Sequence, residues 1–83
     1  MNYNEEKFDS LLENYYKKIG LNVKNARKMK NISQMELSEL LNYKSVATIS
    51  NSEIYYDKHH FSLAQLYKIS LVLDIDVKLL VEP

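Results

Sequence analysis

A chain of 83 residues makes one domain, near the lower limit for a hydrophobic core that stands without staples. It has no cysteine, which excludes disulfides and thiolate-held zinc, and its one glycine and one proline favour helices over a turn-rich β fold. Eleven basic residues balance eleven acidic ones, so the bulk positive charge usual in nucleic-acid binders is missing, while 46% hydrophobic content argues against disorder.

Charge is not evenly spread. Residues 19–58 carry six basic residues (Lys24, Arg27, Lys28, Lys30, Lys44, Lys58) against four acidic ones (Glu36, Glu39, Glu53, Asp57), and each flank is slightly acidic. The N-terminus MNYNEEKF lacks a signal-peptide core and no apolar run exceeds a few residues. A soluble, cytoplasmic protein without a membrane segment is therefore expected.

In chain order, Phe8, Leu11, Leu12, Tyr15, Ile19, Val23 and Ala26 recur at steps of three or four and predict a helix over residues 5–30. Asn4 or Asp9 is its candidate cap. Gly20 costs about 1 kcal/mol in a helix interior, which leaves a break or bend open there, with one helix through residues 5–30 the reading preferred. Tyr15 and Tyr16 are read as packing residues. Lys24, Arg27, Lys28 and Lys30 complement the dipole of the last turns, a role as good as ligand binding. Asn31 supplies the left-handed stop.

The stretch Ser33–Glu53 says most about function. Ser33 and Glu36 form a capping box ahead of an apolar stripe of Met35, Leu37, Leu40 and Leu41. Asn42 is the next left-handed stop, and Ser45 caps a second short helix containing Val46, Ile49 and Glu53. Two helices, a tight turn and a polar outer face on the second make a helix-turn-helix candidate. IYYDKHHF then reads as a loop with an aromatic core anchor. Ser62 caps a helix whose Leu63, Leu66, Tyr67, Ile69, Ser70 and Leu73 are expected on one face, ended by Asp74. Asp76 caps a last short helix, Val77 to Val81, apolar enough to close the core or to form a dimer contact.

Over residues 19–81 the chain resembles the Cro/phage-repressor (XRE) helix-turn-helix family. IGLNVKNARKMKNIS is similar to the family's first helix and turn, with Asn31 where glycine is usual. SQMELSELL resembles the second helix, with Ser38 at the small contact position, and SVATISNSE the recognition helix, with its apolar Ile49 and closing Glu53. FSLAQLYKISLVLDIDVKLL resembles the fourth and fifth helices. The departures are an extra residue in NYKS, Ser52 at a usually apolar position, Ile54 at the usual glycine, and a longer loop to Phe61. Residues 1–18 lie outside the resemblance. It implies an all-α, five-helix, lambda-repressor-like domain over residues 19–83, with a helical extension over residues 1–18.

The resemblance further implies a transcriptional regulator, acting as a repressor on operator DNA, with the helix 45–53 in the major groove. Val46, Ala47, Ser50 and Asn51 would face the bases; Asn pairs bidentately with adenine, while Val46 and Ala47 can only touch a thymine methyl. Gln34, Lys44, Ser45 and Thr48 are the phosphate candidates, and Gln34 could also brace the recognition helix. Lys58, His59 and His60 join them from the following loop, against the plainer reading of solvated loop side chains. Glu53 is read as structural, tied to Arg27. No Arg or Gln lies in the helix itself, so modest, A·T-leaning specificity with a shape component is expected.

An enzyme is not expected: there is no Gly-rich phosphate loop and no nucleophile beside a histidine in a recognisable arrangement. No cofactor and no metal are expected either, since His59 and His60 are adjacent and cannot point at one ion from a regular element. The rival reading is a protein-interaction module on the same fold, antitoxin-like or regulator-binding, favoured by zero net charge, by Val46 and Ala47 at the reading positions and by Ser52 in the core. The expected partners are double-stranded DNA, a second copy of the chain, and a regulatory protein if effector sensing is needed.

Overall fold

The computed structural model describes residues 4–83. The domain is all-α: α1 (Glu5–Met29), α2 (Gln34–Leu40), α3 (Ala47–Glu53), a 3₁₀ turn (Tyr56–Lys58), α4 (Leu63–Leu73) and α5 (Lys78–Val81). No strand occurs among the described residues, and none of their helices is long and apolar enough to cross a membrane. Of the N-terminal extension, the first three residues lie outside the described part, and the rest is continuous with α1.

The chain turns with almost no glycine because Asn and Asp take its place. Asn31, Asn42 and Asp74 have φ of 56°, 59° and 54°. Each sits at the end of a helix in a Schellman arrangement: Ile32 N–H donates to Arg27 O, Tyr43 N–H to Ser38 O and Ile75 N–H to Ser70 O at 2.9–3.1 Å. The residue after each turn, Ile32, Tyr43 or Ile75, packs against the core, the apolar contact that accompanies this motif. Starts are equally local. Asn4 caps α1 by accepting from Lys7 N–H at 2.8 Å, and capping boxes Ser33/Glu36 and Ser62/Gln65 open α2 and α4. The Ser33 backbone amide, and secondarily its hydroxyl, hold the Glu36 carboxyl below the usual carboxylate range.

The core is one cluster of Ile19, Val23, Leu37, Ile49, Phe61, Leu66, Ile69, Leu73 and Leu80. Phe61 is the aromatic anchor expected of the loop, and Leu80 closes the core from α5. Two expectations need correction, and one open point is decided: Gly20 does not break α1, which runs continuously for 25 residues. A Cβ there would lie 2.5 Å from the Glu53 carbonyl oxygen and 2.6 Å from that of Ser52, so the glycine lets α1 cross the end of α3. On α4, Leu63 and Tyr67 are 75% and 56% exposed, so of the six residues expected on one face only Leu66, Ile69, Ser70 and Leu73 are buried. The second helix of the pair begins at Ala47 rather than Ser45; Ser45 Oγ accepts from Ala47 N–H at 2.9 Å, and Val46 is the first residue with helical angles.

Candidate nucleic-acid interface

The turn between α2 and α3 spans residues 41–46 and leaves Lys44 and Ser45 exposed. What fixes α3 relative to the rest of the fold is concentrated at its C-terminal end. Ile49 is wholly buried in the core, while Ser52 and Glu53 lie under α1 at Gly20. Glu53, 4% exposed, is held by a bidentate ion pair in which Arg27 Nε and Nη2 donate to Oε2 and Oε1 at 2.9 and 3.0 Å. Arg27 Nη1 donates to Ile32 O at 2.9 Å, and Gln34 Nε2 donates to Glu53 Oε1 at 3.0 Å.

This bracket joins the last turns of α1, the first residue of α2 and the last residue of α3. A buried carboxylate is tolerable here because a planar guanidinium meets both its oxygens and an amide adds a third bond. No buried side-chain nitrogen or oxygen among the described residues lacks a hydrogen-bond partner. Arg27 is thereby removed from the basic run as a ligand-binding candidate. Glu53 is the structural tie to Arg27 expected from the sequence, and Gln34 braces α3 through its amide.

The polar positions of α3 before Ser52 are bare of such ties. Ala47 is exposed, and Val46, Thr48, Ser50 and Asn51 are half-buried. Ser50 Oγ donates to Ala47 O at 3.4 Å, within its own helix. The side chains of Lys44, Thr48 and Asn51 make no hydrogen bond or ion pair among the described residues. The residues expected to face bases, Val46, Ala47, Ser50 and Asn51, thus lie with Thr48 on one short helix and its N-cap, just beyond Lys44 and Ser45.

The loop residues behave differently. Lys58 is exposed in the 3₁₀ turn beside α3, with φ of 62°. His59 points its Nδ1 back at Tyr56 O at 2.9 Å. His60 lies flat on Tyr16 of α1, the ring centroids 3.7 Å apart and the planes within 10°. Sequence reasoning missed this stack, because nothing in the local pattern links residue 16 to residue 60. Among the described residues no three His, Asp or Glu side chains gather as a metal site requires. The chain matches no family model, and neither a curated protein nor a solved structure gives a match.

Proposed function

We propose that the chain is a DNA-binding transcriptional regulator of the Cro/phage-repressor type, a repressor that occupies operator DNA as a homodimer with α3 in the major groove. The observation that carries this reading is the asymmetry of α3. Its C-terminal end is locked by Arg27, Gln34 and the close crossing at Gly20, while Thr48 and Asn51 along the helix and Lys44 in the turn before it keep their polar groups uncommitted. A reading helix needs both: a rigid mount, and side chains that lose nothing internal when they meet DNA. In this division Asn51, Ser50, Ala47 and Val46 read bases, and Lys44, Ser45, Thr48, Gln34 and the loop residues Lys58, His59 and His60 position the backbone. Lys44 and Lys58 supply the local positive charge that a chain of zero net charge lacks overall.

The test is selection from a random duplex pool, followed by binding of the winner and a scrambled control across a salt series. A two-fold-symmetric site whose affinity falls steeply with salt is expected. Asn51→Ala should weaken the selected site more than random DNA, by about 1–3 kcal/mol, while Lys44→Ala should weaken both alike. Equal losses from the two substitutions would end the division into reading and positioning residues. Sedimentation at tens of micromolar should show a dimer.

A second reading, a protein-interaction module with little or no DNA binding, is favoured by one feature of α4. Leu63, Tyr67 and Leu71 form an exposed apolar row, and Leu71 borders a groove of about 280 Å³ lined also by Leu40, Leu41, Asn42, Lys68 and Val72. No enrichment in the selection would favour this reading.

A further inference from the structure

Tyr16 belongs to the segment outside the resemblance, yet its ring is the centre of a stack that grips both ends of the loop after α3. His60 lies 3.7 Å away between centroids and nearly parallel, and Tyr55 at 6.0 Å with planes 23° apart. Lys17 Nζ stands 5.9 Å from the Tyr55 ring centroid, adding a cation to the same cluster. Tyr55 lies two residues beyond the end of α3, and His60 precedes the buried anchor Phe61.

Between the two gripped ends the backbone is in a conformation that its residues do not favour. Tyr55, Asp57 and Lys58 have φ of 57°, 49° and 62°, all left-handed and none of them glycine. Such angles persist where surrounding structure over-determines them. Inside the loop, the ties are His59 N–H and Nδ1 on Tyr56 O, both at 2.9 Å. These tighten the 3₁₀ turn but attach it to nothing beyond itself. The ring stack, with Lys17 beside Tyr55, joins the loop to α1.

We propose that Tyr16 is a positioning residue: its ring clamps residues 55–60 so that Lys58 is presented beside α3 as a fixed phosphate contact. The consequence for DNA rests on the function proposed above, whereas the clamp does not depend on it. The N-terminal extension is then part of the working interface, acting through the loop without touching nucleic acid. Stacking needs the ring and not the hydroxyl, so phenylalanine should replace Tyr16 and alanine should not.

The test uses the whole chain with Tyr16→Phe, Tyr16→Ala and His60→Ala, and has two arms. Without DNA, amide exchange is expected to accelerate about tenfold or more over residues 55–60 in both alanine variants, with α2 and α3 unchanged and Tyr16→Phe like the parent. With the selected duplex, Tyr16→Ala should lose about tenfold in affinity with base preferences intact, and its salt slope should shrink by about one, as for Lys58→Ala. Adding Lys58→Ala to Tyr16→Ala should then cost nothing more. Parent-like exchange in both alanine variants overturns the clamp. A loosened loop with undiminished affinity and slope overturns its role in DNA binding. If the parent selects no sequence, the function proposed above falls with that role, and the exchange arm alone decides the clamp.

Discussion

From Tyr15 to Met29, α1 lies against the rest of the domain. Ile19 and Val23 are buried, Tyr15 hydroxyl donates to Val81 O, and Asn22 Nδ2 donates to Leu80 O and Glu82 O at 3.1 and 2.8 Å. From Glu5 to Asn14 the same helix continues with the same apolar period, but Leu11 and Leu12 remain 48% and 47% exposed, outside the core cluster. The described residues measure 42 Å along their long axis and only 25 and 19 Å across it. Periodicity therefore reports that a helix has an apolar face. It does not report what covers that face, which depends on where α3 and α5 lie.

Substitutions at matched depth along α1 should separate the two halves. The largest effect is expected from Arg27→Ala, which leaves the Glu53 carboxylate buried without its guanidinium. The loss should be about 3–5 kcal/mol in urea unfolding, a large fraction of the stability of a domain this size. Arg27→Met with Glu53→Met should recover most of it, because the cost lies in the orphaned charge rather than in the absent pair. If the single and double variants are equally unstable, the bracket acts by packing alone.

Gly20→Ala comes next. By propensity the change should help, since alanine is favoured over glycine in a helix by about 1 kcal/mol. The added methyl, however, meets backbone carbonyl oxygens that have no flexible end to give way. A net loss of about 1–3 kcal/mol is expected in the same measurement, with DNA binding weakened if α3 is pushed from its mount. A neutral or stabilising result would mean that α1 and α3 separate at little cost.

The residues legible in the sequence were those whose partners are near in the chain. Ser33 with Glu36, Asn4, Ser62, Asn31, Asn42 and Asp74 all satisfy backbone groups within a few positions, and local rules found them. Arg27 with Glu53 spans 26 positions and was found only through the resemblance, which supplied the register of α1 against α3. The meaning of Gly20, the Tyr16–His60 stack and the exposure of Leu63 and Tyr67 were not legible. Each depends on which distant segment arrives at that place: the end of α3 at Gly20, the longer loop at Tyr16, and at Leu63 and Tyr67 none that covers them among the described residues. Asn51 and Lys44 were legible as a polar outer face, and the fold adds that they are uncommitted.

The smallest effect should come from Asn4→Ala, and its form matters more than its size. Loss of an N-cap typically costs about 0.5–2 kcal/mol of helix stability. In the second half of α1 such a cost would pass into global unfolding, because Ile19 and Val23 bind that half to the core. In the first half, the turn that Asn4 caps carries Glu5, Glu6 and Lys7, all exposed, so it can fray without uncovering the cluster. Global stability should therefore shift by less than about 0.5 kcal/mol, while exchange of the amides of residues 5–8 rises several-fold. A global loss as large as the local one would show that the first half of α1 is coupled to the core despite its exposure. The apolar residues Leu11 and Leu12 would then be transmitting order along the helix, and the two halves would behave as one cooperative unit.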